Sequence, residues 1–513
     1  MRRRARRCGG RGGVHFPLQP GISYNAFMRI QPAGIQCLSV REIEAIVDQA
    51  IRILDEIGMK IESPMICQRL ADAGARWDGD AHLSLPRSVI EGHLQAERQQ
   101  PPAPLQVMDE RRISGSVGCY PLRWLDPADG KIKRHTVRSC ADLTRIADAI
   151  PNIDGIGSVG TPGDVPALLQ PLWMRFISWR YAQNKISNSY TIMDARLCPY
   201  IAEFVETVAA MEPTQGGVKR FFRAENYLIS PLHYARAEAQ QFEWFVEHGY
   251  RMTIGNLISA GGTAPVTLAG AISLGLAEMF ALSLLHKVFY GDRGLYLHTG
   301  ISPLDMRTGA LPYGRPELVL CSAALSQIAR HLGALDEGSL GHGTTAKAAD
   351  IECGLNKGFE VAMQLAMLGK VHWHFGIFSI DEVYDPALMV IENEFLEGMK
   401  RVARGFEVNQ ETLAFDVIKE VGIGGQFLGH PHTHEHFRQE LWLPELFNGA
   451  VYESWLGAGG RPILDRARDK VLSILATHHP RGIKEETERA LLALLGKYAR
   501  TLGLPSAKPD LPG

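Results

Sequence analysis

Apolar residues recur at helical spacing through Ile43, Ile46, Val47, Ala50, Leu54 and Ile57, so the first secure element of the chain is an amphipathic helix. Its ends are written locally. Ser39-Val40-Arg41-Glu42 has the form of a capping box, Leu38 and Ile43 can close a hydrophobic staple around it, and Gly58 stands where a C-terminal cap belongs. A second, shorter helix is predicted from Pro64 to the Ala73-Gly74 stop, and Gln99-Gln100-Pro101-Pro102-Ala103-Pro104 reads as a linker. After about residue 150 the rhythm changes. Strand-like runs at Asn152–Gly160, Lys185–Thr191, Val218–Tyr227, Met252–Ile258, Gly294–Ile301, Leu335–His342 and Val371–Ser379 alternate with helical stretches such as Ala235–His248, Val266–Tyr290, Pro316–Leu332, Asp350–Leu368 and Pro386–Arg404. Such alternation indicates parallel β-α units. An eighth strand can come from Ser116–Leu125 or from the segment after Gly422, and eight close a barrel. The expected fold is therefore α/β, a TIM (β/α)8 barrel with a helical N-terminal extension and a C-terminal helical segment. Its expected divisions are a basic flexible tail at 1–37, a helical N-terminal region at 38–145, the barrel core at 146–404 and a C-terminal segment packed on the barrel at 405–513.

Charge narrows the partners. The 54 basic and 56 acidic residues leave a net charge of −2, without the basic excess that drives binding to nucleic acid. The eight cysteines are scattered and form no C-x-x-C pair, the usage of reduced intracellular thiols, so a cytoplasmic location is expected. No apolar stretch reads as long enough to span a bilayer, and no membrane association is expected. The start, Met1-Arg2-Arg3-Arg4-Ala5-Arg6-Arg7, is basic with no apolar stretch behind it. A small-molecule substrate or a protein partner fits best, and a homo-oligomer is compatible with the sequence.

Candidate chemistry clusters in the strand Lys370–Ile377. Alternate side chains of a strand share a face. Val371, Trp373, Phe375 and Ile377 form an apolar face suited to the outer helices, while Lys370, His372, His374 and Gly376 point inward. Barrel interiors favour Val, Ile and Leu, so inward imidazoles at a strand end suggest a site. Gly294–Ile301 repeats the pattern, with Tyr296, His298 and Gly300 opposite Leu295 and Leu297. Each histidine read singly is a hydrogen-bonded core residue; together they tilt toward a site. The run His430-Pro431-His432-Thr433-His434-Glu435-His436 lets a strand aim three imidazoles one way, but H-E-x-x-H is absent and no metal site is expected. Gly261, Gly262 and Thr263 lie in a strand-to-helix loop ahead of Pro265, where free amides can bind a carboxylate or a cofactor group; a plain tight loop explains the glycines equally well. Gly155-x-Gly157-x-x-Gly160 has nucleotide-loop spacing, but Thr161-Pro162-Gly163 follows it instead of a helix start.

Several segments, in order, resemble the trimethylamine methyltransferase family of corrinoid-dependent enzymes, including its pyrrolysine-free, glycine-betaine-type members. They are Ala264-Pro265-Val266-Thr267-Leu268-Ala269-Gly270-Ala271 with Ala277-Glu278, Met306-Arg307-Thr308-Gly309-Ala310, Tyr313-Gly314-Arg315-Pro316-Glu317, and Arg404-Gly405-Phe406-Glu407-Val408. His432-Thr433-x-x-His436-x-Arg438 and Tyr452-Glu453-x-Trp455 agree as well, and the likeness runs from about Leu38 to His479. Where relatives commonly read G-T-D-S-K and D-x-Q-A, this chain reads Gly343-Thr344-Thr345-Ala346-Lys347 and Asp350-Ile351-Glu352-Cys353. No pyrrolysine is present, which argues against trimethylamine itself as the substrate. His372 aligns with a histidine of the betaine-type members.

The resemblance implies a TIM barrel that moves a methyl group from a methylated, quaternary amine such as a betaine to a cobalamin-type corrinoid, held as Co(I) by a separate corrinoid protein. Tyr296, Tyr313 and Trp124 are candidates for the wall of a cation cage, with Trp373 facing outward. His372, His298, Lys347 and His374 are candidates for holding the rest of the substrate, and Gly261, Gly262 and Thr263 are an alternative anchor. Two other readings stand beside this one: a metal-dependent barrel hydrolase, and a non-catalytic betaine-binding barrel, the latter motivated by the altered Thr345, Ala346 and Glu352.

Overall fold

The computed structural model describes residues 36–98, 109–183, 191–192, 194–212, 224–295, 297, 299–334, 343–507 and 509–512. Helix Val40–Arg52 starts as predicted. The Ser39 side chain accepts from the Glu42 amide, the Glu42 carboxylate accepts from the Ser39 amide at 2.7 Å, and Ile43, Ile46, Ala50 and Ile51 are buried. That face packs on helix Leu268–Tyr290. Helix Pro64–Asp72 follows, with Ser63 as its cap and Pro64 in its first turn. The N-terminal sheet runs Arg76–Trp77, His82–Ser84, Met59–Ile61, and then takes His233–Tyr234 from much later in the chain as its fourth strand.

The molecule is mixed α/β. Val371–His374 pairs in parallel with Ile113–Cys119, which pairs in parallel with Ile153–Val159. Ala224–Tyr227 pairs in parallel with Met252–Gly255, and Leu257–Ala260 with Gly300–Pro303. Thr191 adds a parallel bridge to Glu225. Helices connect successive strands, as the alternating pattern demands. Among the described residues these ladders form separate groups and do not close into a barrel.

Several strands differ from expectation. The predicted Met252–Ile258 is broken at Asn256, whose buried amide donates to Glu278 Oε2 at 2.8 Å instead of continuing the strand. The predicted Val371–Ser379 ends at His374; Ile377–Phe378 then turns back as an antiparallel pair with Val383–Tyr384. That pair joins Arg123–Leu125 and Ile132–Arg134 in a four-stranded sheet. Gly155 and Gly157 lie inside strand Ile153–Val159, not in a phosphate loop. Leu335–His342, Lys185–Ser189 and Tyr190 lie outside the described residues.

Helix Leu268–Tyr290 also corrects the reading that no stretch is long and apolar enough to cross a membrane. It has 23 residues and a mean hydropathy of 1.8 over its most apolar window, yet 83% of that window is buried inside the protein. An all-round apolar helix is what the centre of a large core requires. Fully buried Glu278 sits in its middle and accepts from Ser230 Oγ at 2.9 Å, the Leu232 amide at 2.8 Å and Asn256 Nδ2 at 2.8 Å. It thereby pins the loop that leads into His233–Tyr234.

After helix Pro386–Arg404 the chain runs out into an arm. Its helices Gln410–Leu413, Phe415–Val421, Pro431–Glu440 and Tyr452–Gly457 bury no residue. Phe406, Phe415, Leu428, Val451 and Tyr452 are all exposed, and Leu446 is the buried side chain of the arm. Glu394 on the preceding helix holds it, accepting the amides of Glu445, of Leu446 at 2.8 Å and of Phe447 at 3.0 Å. Beyond the arm, helix Ile463–Thr477 returns to the body with Ala467 and Val471 buried, and helix Glu485–Thr501 packs Leu491, Leu495 and Tyr498 inward.

Candidate functional site

The polar strand ends gather around Val371–His374. Trp373 is 1% exposed and faces outward, with the Lys357 ammonium 5.0 Å from its ring centroid, while His372 and His374 lie on the opposite face. Ile113–Cys119 lies so close alongside that a Cβ at Gly115 would run into the Trp373 carbonyl oxygen. This approach brings His372 Nε2 within 3.0 Å of Ser116 Oγ and His374 Nδ1 within 3.8 Å of Cys119 Sγ. The two imidazoles stand edge to face, 5.9 Å apart. Burial depresses His374 to about 4, with His372 and the Lys357 ammonium adding to the effect, so its ring is neutral near pH 7. Burial pushes the Cys119 thiol up, which leaves it a protonated donor and not a thiolate.

The hairpin after the strand completes the cluster. Asp381 Oδ2 accepts from the Tyr313 hydroxyl at 3.0 Å, and its Oδ1 lies 3.9 Å from Cys119 Sγ. Burial raises the Asp381 carboxyl, and the hydrogen bonds from Tyr313 and Cys119, with a smaller effect of the Lys357 ammonium, hold it back. The Cys119 amide donates to the Tyr384 hydroxyl at 3.1 Å. Tyr313 packs over Gly343, where any Cβ would collide with its ring. Lys347 is exposed and reaches back to Ser379 Oγ at 3.1 Å, at the edge of the same hairpin.

His372, His374, Tyr313 and Lys347 are thus brought to one region, whereas Tyr296 and His298 lie outside the described residues. Four expectations are corrected. Gly376 does not share the histidines' face: the strand ends at His374, Gly376 takes φ 71°, and a Cβ there would strike Met389 on the outer helix. Gly261, Gly262 and Thr263 offer no free amides. The Gly262 and Thr263 amides donate to the Ser259 carbonyl, each at 2.9 Å, and the Gly261 amide to the Ala264 carbonyl at 3.0 Å, because the loop folds back on itself. Trp124 is buried and stacks on His135 with ring centroids 6.3 Å apart, so it is a core residue. The histidine run forms helix Pro431–Glu440, not a strand, with His430 as its cap. Pro431 in the first turn was the signal for this. Among the described residues no group of three or more His, Cys, Asp or Glu is placed to hold a metal ion.

The sequence reading missed Cys119, Asp381 and Tyr384. Cys119 lies inside the predicted strand Ser116–Leu125 but closes the observed strand Ile113–Cys119, so its place at a strand end was not legible. Asp381 meets its partners across 68 and 262 residues of chain, which no local pattern encodes.

The sequence pattern of the family described as "Trimethylamine methyltransferase (MTTB)" matches residues 3–503. The chain belongs to the trimethylamine methyltransferase family. It is similar to the trimethylamine methyltransferase MttB of Desulfitobacterium hafniense, 23% identical over 91% of this chain and 95% of that one. It is also similar to the glycine betaine methyltransferase of another strain of that organism, 24% identical over 91% of this chain and 98% of that one. Trimethylamine methyltransferase MttB1 of Methanosarcina acetivorans is 25% identical over 52% of this chain and 54% of its own length. Asp350 caps helix Ile351–Leu368, accepting from the Glu352 amide at 3.0 Å, and Glu352 is exposed in the first turn, where a carboxylate suits the helix dipole. Ala346, by contrast, is buried beside the hairpin and accepts the Ser379 amide on its carbonyl at 2.8 Å.

Proposed function

We propose that the chain moves a methyl group from a methylated, quaternary amine to the Co(I) corrinoid of a separate partner protein, inside a (β/α)8 barrel. The observation that carries this reading is the parallel pairing of Val371–His374 with Ile113–Cys119. It joins the last strand of the series to the first, as a closed barrel requires, and it puts polar groups at the strand ends where barrel sites lie. On this reading the barrel body begins at Ile113 rather than near residue 146 and runs to about Arg404, with 405–513 as the C-terminal segment.

The rim suits a broad, flat co-substrate. Gly261 and Gly262 carry no side chains there, and Val266 and Met306 beside them are 63% and 71% exposed. The corrinoid, when presented by its protein, supplies the nucleophile that takes the methyl group. The chain's own task is positioning. A quaternary ammonium leaves as a neutral amine without needing a proton, so the residues must aim one N–CH3 bond at the mouth and keep water away. Tyr313 offers a ring face to the cation. His372, His374, Lys347, Tyr296 and His298 are proposed to hold the rest of the substrate, a carboxylate included.

Purified chain incubated with cob(I)alamin and a panel of methylated amines is expected to deplete the Co(I) absorbance in an amine-dependent way. No depletion with any amine of the panel overturns the reading. His372→Ala is expected to leave the fold intact and weaken substrate binding by about 1 kcal/mol, the effect of losing one hydrogen bond from a side chain that is exposed in the free protein. If the histidine serves only to tie its strand to Ser116, the melting temperature falls and affinity survives, so calorimetry and a thermal melt on the one variant decide.

A further inference from the structure

The hairpin after Val371–His374 contains a strained turn. Ser379 and Ile380 both adopt the left-handed region, at φ 53° and 64°. A β-branched residue is rarely found there, and such strain clusters at functional sites. Three backbone bonds enforce it: Ser379 N–H to the Ala346 carbonyl at 2.8 Å, Ile380 N–H to the Thr344 carbonyl at 2.8 Å, and Glu382 N–H to the Ser379 carbonyl at 3.2 Å.

What the turn delivers is Asp381. Its carboxylate is partly buried between the Tyr313 hydroxyl, 3.0 Å away, and the Cys119 thiol, 3.9 Å away, both neutral donors. Among the described residues no Lys or Arg lies within ion-pair distance of it, and the Lys357 ammonium acts on it only from beyond that distance, as the weakest of the influences on its carboxyl. The ammonium of Lys357 is committed to Glu392 and to the carbonyls of His374 and Ile377, and Lys347 bonds to Ser379. A carboxylate withdrawn from water ordinarily has a counter-charge. The two hydrogen bonds orient it without neutralising it.

We propose that Asp381 is the counter-ion that positions the methylated ammonium of the substrate beside the Tyr313 ring, which makes the preferred substrates amines carrying a full positive charge. This rests on the methyl-transfer reading and adds to it a specificity-determining residue. A quaternary nitrogen has no N–H to donate, so it is held by charge and by aromatic faces, the two features this corner combines.

The test is calorimetric titration of the full chain with tetramethylammonium chloride, with tert-butyl alcohol as a neutral look-alike. The wild type is expected to prefer the cation. Asp381→Asn keeps the size and removes the charge, and it is expected to weaken the cation about tenfold or more while leaving the alcohol unaffected. Asp381→Glu is expected to recover part of the loss, and Tyr313→Phe, which retains charge and ring, to keep the preference. Equal affinity of wild type and Asp381→Asn for tetramethylammonium overturns the proposal, as does a wild type without preference for the cation; this last measurement stands even if a variant fails to fold. The Co(I) assay separates the two readings. An active wild type with unaltered Asp381→Asn affinity removes the counter-ion and leaves the reaction, while an inactive wild type that binds the cation through Asp381 does the reverse.

Discussion

Replacing Lys357 with methionine is expected to destabilise the protein by about 3–5 kcal/mol, the usual effect of removing one partner from a buried ion pair. Lys357 and Glu392 are both nearly inaccessible, with side chains 3% and 5% exposed. The ammonium also donates to the His374 carbonyl at 3.4 Å and the Ile377 carbonyl at 3.3 Å, and the Glu392 carboxylate accepts the Gly376 amide at 2.6 Å. The pair therefore closes the turn between Val371–His374 and the hairpin that carries Asp381. Removing the lysine leaves a carboxylate inside the protein with only the Gly376 amide and the Trp373 side chain to offset it, which is worse than having neither charge. The double variant Lys357→Met with Glu392→Leu is expected to regain most of the loss. Equilibrium urea unfolding of the three proteins measures this, and a single variant within about 1 kcal/mol of wild type would show that the pair contributes little.

Glu278→Ala is expected to be comparably damaging, at least about 2 kcal/mol, because it orphans two donors and weakens a third, and each unsatisfied buried group costs roughly 1–3 kcal/mol. The Leu232 amide and the Ser230 hydroxyl lose their acceptor, while the Asn256 side-chain amide keeps the Gly275 carbonyl at 3.3 Å and loses one of two. The damage is expected to be directional. The loop freed from Glu278 leads into His233–Tyr234, which pairs with Lys60 and Ile61. Hydrogen exchange should therefore accelerate in Met59–Ile61 more than in Val371–His374, and uniform acceleration would count against a local role. Glu278→Gln preserves the shape and one acceptor, and is expected to lose less.

Features set by neighbours in the chain were legible. Ser39 and Glu42 are three residues apart, so their capping box could be read as letters, and the period of two in Val371–His374 correctly placed Trp373 outside and both histidines opposite it. Interruptions by long-range contacts were not legible. Asn256 breaks a strand because Glu278 needs a donor, and the amides of Gly261 to Thr263 turn inward because Ser259 and Ala264 supply nearby carbonyls. The carboxylate of Asp381 reads as one polar residue of a turn until the fold sets Tyr313 and Cys119 around it.

The arm between Gly405 and Arg461 has a consequence for how its sequence can drift. With Leu446 as its buried side chain, it lacks the interlocking contacts that make core positions answer to one another. Most of its residues can therefore change with few packing partners to answer, while its placement depends on Glu394, on the Arg401 guanidinium that meets the Glu440 carbonyl at 2.7 Å, and on Lys470, which pairs with Glu445. Those three side chains belong to the body, not to the arm. Selection on the arm's position therefore acts on the two helices that flank it, and fifty-odd surface residues inherit the outcome.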